Sequence, residues 1–240
     1  MTLKELLTDF FLFAKKPNLQ GVVLSPQYKL FNTLKLWGLC LFSIVALQQI
    51  LDLVLDIPEP DLIELVLNEL GVVPFILFAV VIGPFIEELS FRLPMRFKPS
   101  YLFIGFILTS AYFLFSVDKL NETVANGLSI VTLCLFVVLT YLIGKKKEVL
   151  KKLYTTYFSY IFYLLTLIFG FIHITNFEEI TSRILILSPL IVFPQFALGI
   201  MMGYVRIRYG FWYSFLFHLI NNGFAVLVLL IARSYFPELL

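Results

Sequence analysis

Long apolar runs separated by short polar segments dominate the chain. Seven runs are long enough, or nearly so, to cross a hydrocarbon core of about 30 Å as helices. They cover residues 36–55, 71–89, 101–117, 124–144, 154–174, 184–205 and 211–232. The alternation expected of membrane β-strands is missing from them. The pattern therefore predicts an all-α, polytopic membrane bundle of about seven transmembrane helices, within a range of six to eight.

Composition strengthens this prediction. Hydrophobic residues make up 60% of the 240-residue chain and charged residues 14%, a balance that is typical of integral membrane proteins. Residues 1–30 hold a short apolar patch and are predicted to form a cytosolic or interfacial leader. Residues 31–240 are predicted to form a single membrane-embedded domain. Cys40 and Cys134 each lie inside an apolar run, so no disulfide is expected.

The distribution of charge predicts the orientation. If the N-terminus is cytosolic, 15 of the 18 lysines and arginines fall in inside segments. The outside segments then hold Lys119, Arg183 and Arg233, together with the acidic stretch at residues 56–70. An excess of Lys and Arg in cytoplasmic loops is the usual signature of topology. The chain is therefore predicted to be a multi-pass integral membrane protein with a cytosolic N-terminus, surrounded by membrane lipids.

Ionisable side chains interrupt the apolar runs at three places. Such a group costs several kcal/mol at membrane depth unless it is paired or hydrated, which makes it a functional candidate. Glu88 and Arg92 share a helix face at i, i+4 spacing, whereas Glu87 points about 100° away from Glu88, toward a different neighbour. His218 and Asn222 lie one helical turn apart in the last run.

The third place is His173, which follows Phe169 at i, i+4 spacing late in the fifth run. Each place also has a purely structural interpretation. Glu88 and Arg92 can form a salt-bridged helix end, and His173 can be a satisfied core histidine. His218 and Asn222 can be an interhelical hydrogen-bonding pair. Together they supply a carboxylate base, two imidazoles and an amide. A carboxylate, alone or paired with an imidazole, can take a proton from water. Since an imidazole and an amide can stabilise an oxyanion, the set suits hydrolysis of a peptide bond.

Other designs of membrane protease have less support. The H-E-x-x-H helix of zinc enzymes and the G-x-S-x-G serine turn are both absent from the sequence. Glu87, His173 and His218 are nevertheless acceptable zinc ligands. No cofactor is therefore predicted, and zinc held by these three residues is the second-ranked alternative.

The charged and polar residues fall into three motifs. In chain order, these are E-E-x-x-x-R (Glu87, Glu88, Arg92), F-x-x-x-H (Phe169, His173) and H-x-x-x-N (His218, Asn222). Within apolar helices and in this order, they resemble the motifs of the CAAX protease and bacteriocin-processing family. This family, also called CPBP or Abi, includes the type II CAAX prenyl endopeptidase. The resemblance covers roughly residues 70 to 232.

The resemblance implies a glutamate-dependent intramembrane endopeptidase acting on peptide or protein substrates near the cytosolic membrane face, and it leaves open whether the substrates are prenylated. Carried over by motif, Glu87 is the general base and His173 helps it to activate water. His218 and Asn222 stabilise the oxyanion. The remaining motif residues, Glu88 and Arg92, orient the base or the substrate.

Two features depart from the family pattern. Leu93 and then Pro94 follow the motif arginine, where the family usually has glycine. The gap between the first two motifs is long, so an extra pair of helices at about residues 101 to 144 is predicted to be inserted there. Pro94 also predicts that its helix kinks or ends near Leu93. Separately, Gly199 and Gly203 form a small-x-x-x-small pair that predicts close helix packing.

Two other functional classes are open. The Glu/His set also fits a non-enzymatic membrane protein that serves as a scaffold or in bacteriocin immunity. It also fits a small transporter with a proton relay, although the inverted repeats frequent in transporters are not evident. Nucleic acid is not expected as a partner. Loss of activity with an intact fold, after mutation of one site residue, distinguishes an enzyme from both alternatives.

Overall fold

The apolar runs form helices in the computed structural model, which describes residues 2–55, 62–116 and 122–235. No β-strand occurs in these three ranges. The α-helices, in chain order, are α1 (Leu3–Lys15), α2 (Pro26–Leu55), α3 (Leu62–Leu70), α4 (Val72–Ile76), α5 (Gly83–Glu87), α6 (Pro99–Ser116), α7 (Glu122–Lys145), α8 (Lys147–Thr156), α9 (Phe158–Ile172), α10 (Ser182–Ile191), α11 (Phe193–Arg208) and α12 (Phe211–Tyr235). The predicted all-α class is therefore confirmed.

One continuous helical run, Val72–Met95, carries both candidate glutamates, and we call it the glutamate helix. It joins α4 to α5 through a π-helical turn at Leu77–Ile82 and continues through a second π-helical turn at Glu88–Arg92. A 3₁₀ turn at Leu93–Met95 ends it, close to the end predicted from Pro94. Since π-helical turns are rare and occur frequently at functional sites, the second turn marks the E-E-x-x-x-R motif as a structurally unusual segment.

Five helical stretches of the described residues are long and apolar enough to cross a membrane, judged by length and composition. They are Pro26–Leu47, Val72–Met95, Phe158–Asn176, Ser182–Arg208 and Phe211–Tyr235. A sixth exists if Ser129–Lys145 and Lys147–Thr156, bent by 111°, count as one span. The multi-pass bundle is thus confirmed. The described residues hold five or six candidate spans, against about seven predicted within a range of six to eight, and the apolar part of α6, Pro99–Tyr112, is a shorter helix.

One short helix covers part of the acidic segment, residues 56–70, that is predicted to lie outside. The second part of the acidic stretch forms α3, which has nine residues and is too short to cross a hydrocarbon core. The first part, residues 56–61, lies outside the described residues, as does Lys119. The cytosolic position of the N-terminus stays a prediction.

The predicted insert between the first two motifs consists of α6 and α7. Gly105 of α6 lies against the glutamate helix, where an added Cβ would collide with Pro94 and approach the Ser90 carbonyl at 3.0 Å. On the α7 side, Phe103 packs against Phe136 with ring centroids 5.4 Å apart. The insert therefore attaches to the end of the glutamate helix through a close glycine contact.

The helices α9 and α11 pack through two glycines. A Cβ on Gly199 would lie 2.8 Å from the Thr166 side chain, and one on Gly203 would lie 2.5 Å from the Phe162 ring. Both distances are too short for real Cβ atoms, so larger residues would force the helices apart. The predicted close packing at this glycine pair is confirmed. It brings α9 and α11 together beside the glutamate helix.

The leader contributes to the main core. Thr2 and Glu5 form a capping box at the start of α1. Leu6, Phe10 and Phe13 of this helix are buried in the main hydrophobic cluster. The division of the chain at residues 30 and 31, and the side of the membrane on which α1 lies, stay predictions.

Asp9 fixes α1 to α11. Its carboxylate accepts two hydrogen bonds from the Arg208 guanidinium, each 3.0 Å long, and one from the Tyr204 hydroxyl at 2.7 Å. Bidentate pairing of this kind gives both strength and a fixed geometry. The apolar face of α1 is therefore held against the bundle by a specific polar clamp.

Candidate active site

The glutamate helix changes its hydrogen-bond register before it reaches the glutamates. After the first π-helical turn, the Gly83 N–H donates to the Phe78 carbonyl, five residues earlier. In the same register, the Ala79 carbonyl faces residue 84, and Pro84 has no N–H to donate. Asn222 supplies a donor, since its Nδ2 donates to the Ala79 carbonyl at 3.1 Å. This contact attaches α12 to the glutamate helix at its irregular segment.

Glu88 is the centre of a polar cluster that follows. Its side chain is fully buried, where an unpaired carboxylate would cost several kcal/mol. Its Oε1 lies 3.4 Å from Arg92 Nε and 3.2 Å from His218 Nδ1. Its Oε2 accepts a hydrogen bond from the Ser214 hydroxyl at 2.5 Å. Both oxygens of this buried carboxylate therefore have partners.

Glu87 contacts the same histidine from the other side. Its Oε2 lies 3.6 Å from His218 Nε2, and 18% of its side-chain surface is exposed. This Oε2 has no hydrogen-bond partner in the described part of the chain. The prediction that Glu87 and Glu88 face different neighbours is wrong, because one imidazole ring carries nitrogens on two edges and reaches both carboxylates.

Arg92 is fully buried beside Glu88. Its guanidinium lies 3.8 Å from the centroid of the Phe169 ring, and Nη2 lies 3.9 Å from the Met202 sulfur. Among the described residues, its Nε and Nη1 have no hydrogen-bond partner, although Nε forms the ion pair with Glu88. The charge of Arg92 is therefore held mainly by one carboxylate and one aromatic face.

His173 reaches the cluster through Phe169. Its Nδ1 lies 2.8 Å from the Phe169 carbonyl oxygen. Because a carbonyl oxygen accepts, Nδ1 carries the proton, and Nε2 of the neutral ring offers a lone pair. The Phe169 ring centroid is 5.0 Å from that of His173 and 5.9 Å from that of His218.

The six predicted site residues thus differ in how closely they meet. Direct contacts join four of them: Glu87, Glu88, Arg92 and His218. The aromatic ring of the F-x-x-x-H motif connects the fifth, His173, to the cluster. Asn222 lies one helical turn beyond His218 on α12 and is bonded to the backbone of the glutamate helix.

Ser214 and Phe169 are the site residues that sequence reasoning missed. Ser214 is fully buried, contacts Glu88 at 2.5 Å, and also lies 3.1 Å from the Met202 carbonyl. It precedes His218 by four residues, so helical spacing places the two on one face. Phe169 defines the F-x-x-x-H motif in the sequence, but its contacts with a guanidinium and two imidazoles appear only in the structure.

The zinc alternative has no ready ligand set in this geometry. Within the described residues, no group of three or more His, Cys, Asp and Glu side chains is arranged to hold a metal ion. Glu87 and His218 are adjacent, but the ring of His173 is bonded to its own helix through Nδ1. Zinc held by Glu87, His173 and His218 stays an alternative prediction.

The fold and the site together define a multi-pass helical membrane protein with a buried Glu–His–Arg cluster. The chain belongs to the Rce1-like family: the family model described as "Type II CAAX prenyl endopeptidase Rce1-like" matches residues 69–224, more than half of the chain. The matched range contains all three motifs. No curated protein and no solved structure matches the chain. The resemblance to CAAX proteases is therefore confirmed, and the family supports a membrane CAAX endopeptidase.

Proposed function

We propose that the chain is an intramembrane glutamate-type endopeptidase in which Glu87 activates water. The observation that carries this proposal is the contrast between the two glutamates. The Glu87 side chain is partly exposed, and its buried Oε2, 3.6 Å from His218 Nε2, has no hydrogen-bond partner among the described residues. Glu88 is fully buried, with partners at both oxygens. Of the two carboxylates, the one that is partly exposed and not fully paired is the better general base.

In the proposed reaction, Glu87 takes a proton from water while the water oxygen attacks the carbonyl carbon of the scissile bond. The carbonyl oxygen becomes the oxyanion of a tetrahedral intermediate. The carbon–nitrogen bond then breaks, and Glu87 passes its proton to the leaving amine. His173 assists by accepting a hydrogen bond from the water, because its Nδ1 is engaged by the Phe169 carbonyl and its Nε2 lone pair is available.

His218 and Asn222 are the proposed oxyanion donors. Ionised carboxylates can only accept, so both His218 nitrogens, which face Glu87 and Glu88, are set to donate. Proton transfer to Glu87 weakens its hold on His218 Nε2, which frees this donor as the oxyanion forms. Asn222 uses one amide hydrogen on the Ala79 carbonyl, and its second amide hydrogen is left for the oxyanion.

Ion pairing supports this arrangement. The Glu88 carboxylate faces the Arg92 guanidinium, and both carboxylates face the His218 ring. A buried ionic cluster is tolerated when its members are mutually paired, because removal of one partner leaves an uncompensated charge. The low dielectric of the bundle interior also strengthens the interaction of these groups with a developing oxyanion.

The test uses purified protein in liposomes and peptides that end in a C-terminal CAAX sequence, in prenylated and unprenylated forms. We expect Glu87→Gln to lose cleavage by about 10²- to 10⁴-fold. Glu148→Gln, an exposed glutamate of α8, is the matched control and should keep full activity. Full activity of Glu87→Gln would overturn the proposal.

Comparison of the proteomes of membranes holding wild-type and Glu87→Gln protein then identifies the natural substrate.

A further inference from the structure

We propose that Ser214 is a positioning residue, which acts through Glu88 to fix the orientation of His218. This inference deepens the proposed function, since it concerns the same site. Ser214 lies on α12 one helical turn before His218 and is completely buried. Its hydroxyl donates to Glu88 Oε2 at 2.5 Å, and the other oxygen of that carboxylate faces His218 Nδ1 at 3.2 Å.

The hydroxyl of Ser214 has one hydrogen and two acceptors nearby. Glu88 Oε2 lies at 2.5 Å and the Met202 carbonyl oxygen at 3.1 Å. Hydrogen bonds from a hydroxyl to a carboxylate are short, about 2.5–2.7 Å, so the hydrogen points mainly to Glu88. The Met202 carbonyl limits rotation of the hydroxyl. Ser214 thereby ties α11, α12 and the glutamate helix together at one oxygen atom.

This contact selects which carboxylate oxygen serves His218. With Oε2 held by Ser214, Glu88 presents Oε1 to His218 Nδ1 and to Arg92 Nε. His218 therefore donates from Nδ1 to Glu88, and its Nε2 faces Glu87. A histidine oriented by a third group is a recurring feature of catalytic sites. Without the hydroxyl, Glu88 can turn, and His218 Nδ1 loses its fixed acceptor.

A second buried serine provides a matched control. Ser90 is also fully buried and lies on the glutamate helix, but its hydroxyl donates to the Ile86 carbonyl at 2.8 Å, within its own helix. Ser214→Ala and Ser90→Ala each remove one buried hydroxyl. We expect Ser214→Ala to lower kcat by about 10- to 100-fold with little change in KM. Ser90→Ala should stay close to wild type, and Ser214→Thr, which retains the hydroxyl, should recover most of the rate.

A spectroscopic readout separates this role from the proposed reaction. The chain has two histidines, so the imidazole ¹⁵N signals of the full-length protein can be assigned with His173→Gln and His218→Gln. We expect wild type and Ser90→Ala to show a His218 Nδ1 that is hydrogen-bonded to a carboxylate, and Ser214→Ala to show a shifted Nδ1 signal because that hydrogen bond is weakened. An unchanged His218 signal in Ser214→Ala overturns the positioning role whatever the activity. Active Glu87→Gln together with a shifted His218 signal in Ser214→Ala overturns the reaction and leaves the positioning role standing.

Discussion

The Arg92 guanidinium lies 3.8 Å from the centroid of the Phe169 ring, and both side chains are completely buried. The same ring meets His173 and His218 edge-on, with interplanar angles of 73° and 84°. The aromatic residue of the F-x-x-x-H motif therefore carries the arginine of the first motif on its face. This arrangement gives a physical reason for phenylalanine one turn before the histidine, since the ring links all three motifs.

Disruption of this contact should lower stability. Phe169→Leu removes the aromatic face under a buried cation, and such a desolvated contact contributes about 2 kcal/mol. Arg92→Lys keeps the charge but loses the planar group that covers the ring. We expect each variant to reduce the free energy of unfolding in detergent by about 1–3 kcal/mol. In the double variant the losses should be less than additive, and strict additivity would contradict the coupling.

The glycine contact between α9 and α11 leads to a second prediction. A Cβ at Gly203 would meet the Phe162 ring at 2.5 Å, so Gly203→Ala should destabilise the protein by about 1–3 kcal/mol through overpacking. Gly38 of α2 has no neighbouring atom within 4 Å of an added Cβ. Gly38→Ala should therefore be neutral, or stabilising by up to about 1 kcal/mol. Thermal unfolding of the two variants measures these changes in stability. Equal changes in Gly203→Ala and Gly38→Ala would refute the steric explanation.

The bond from Asn222 to the Ala79 carbonyl can be tested by rescue. Asn222→Ala leaves that partly buried carbonyl without the side-chain donor, which should reduce stability by about 1–3 kcal/mol. Pro84→Ala restores a backbone N–H five residues after Ala79, where the π-helical register places the missing donor. We therefore expect Pro84→Ala to recover part of the stability lost in Asn222→Ala. If the two changes only add their losses, Pro84 is not the reason that Asn222 is needed.

The sequence was sufficient for the helices and for one packing contact. The lengths of the apolar runs predicted the helical bundle, and the spacing of Gly199 and Gly203 predicted the close approach of two helices. Helical spacing relates residues along one helix, however, and does not say which residue of another helix lies opposite. For that reason the contact of His218 with both glutamates was not predicted. The role of Asn222 at Ala79 depends on a π-helical register, which has no simple pattern in the sequence.

The sequence predicted most residues of the candidate site but not all of their contacts. The motif order singled out the residues that cluster, because ionisable groups in apolar runs need partners. Ser214 was overlooked because a serine in a membrane helix commonly bonds its own backbone, as Ser90 does with Ile86. Its spacing from His218 was visible, but its contact with Glu88 depends on how α12 packs on the glutamate helix.

Orientation is predicted from charge alone and can be checked by labelling. In a background with Cys40→Ala and Cys134→Ala, cysteines are introduced at Glu69 of α3 and Glu148 of α8, both of which are exposed positions. An impermeant thiol reagent added outside intact cells should modify position 69 and spare position 148. The reverse pattern would place the N-terminus outside and overturn the predicted topology.

The metal-free mechanism makes the sharpest prediction about the reaction. If Glu87 acts as a base with help from His173, strong chelators should leave cleavage unchanged. His218→Ala should cost about 10²- to 10³-fold, since removal of one oxyanion donor has effects of that order. The purified active protein should then contain no stoichiometric zinc.

The zinc alternative predicts a different pattern for the same variants. Metal binding requires all ligands together, so Glu87→Gln, His173→Ala and His218→Ala should each lose the metal, and chelation should abolish activity until zinc is restored. Elemental analysis of wild type and of the three variants separates the two mechanisms. Glu88→Gln is the informative control, because Glu88 is partnered by Arg92, His218 and Ser214 and is not one of the three candidate ligands. Zinc retained in Glu88→Gln and lost in the other three would replace the metal-free mechanism, while the endopeptidase assignment would stand, because hydrolysis of a peptide bond is common to both.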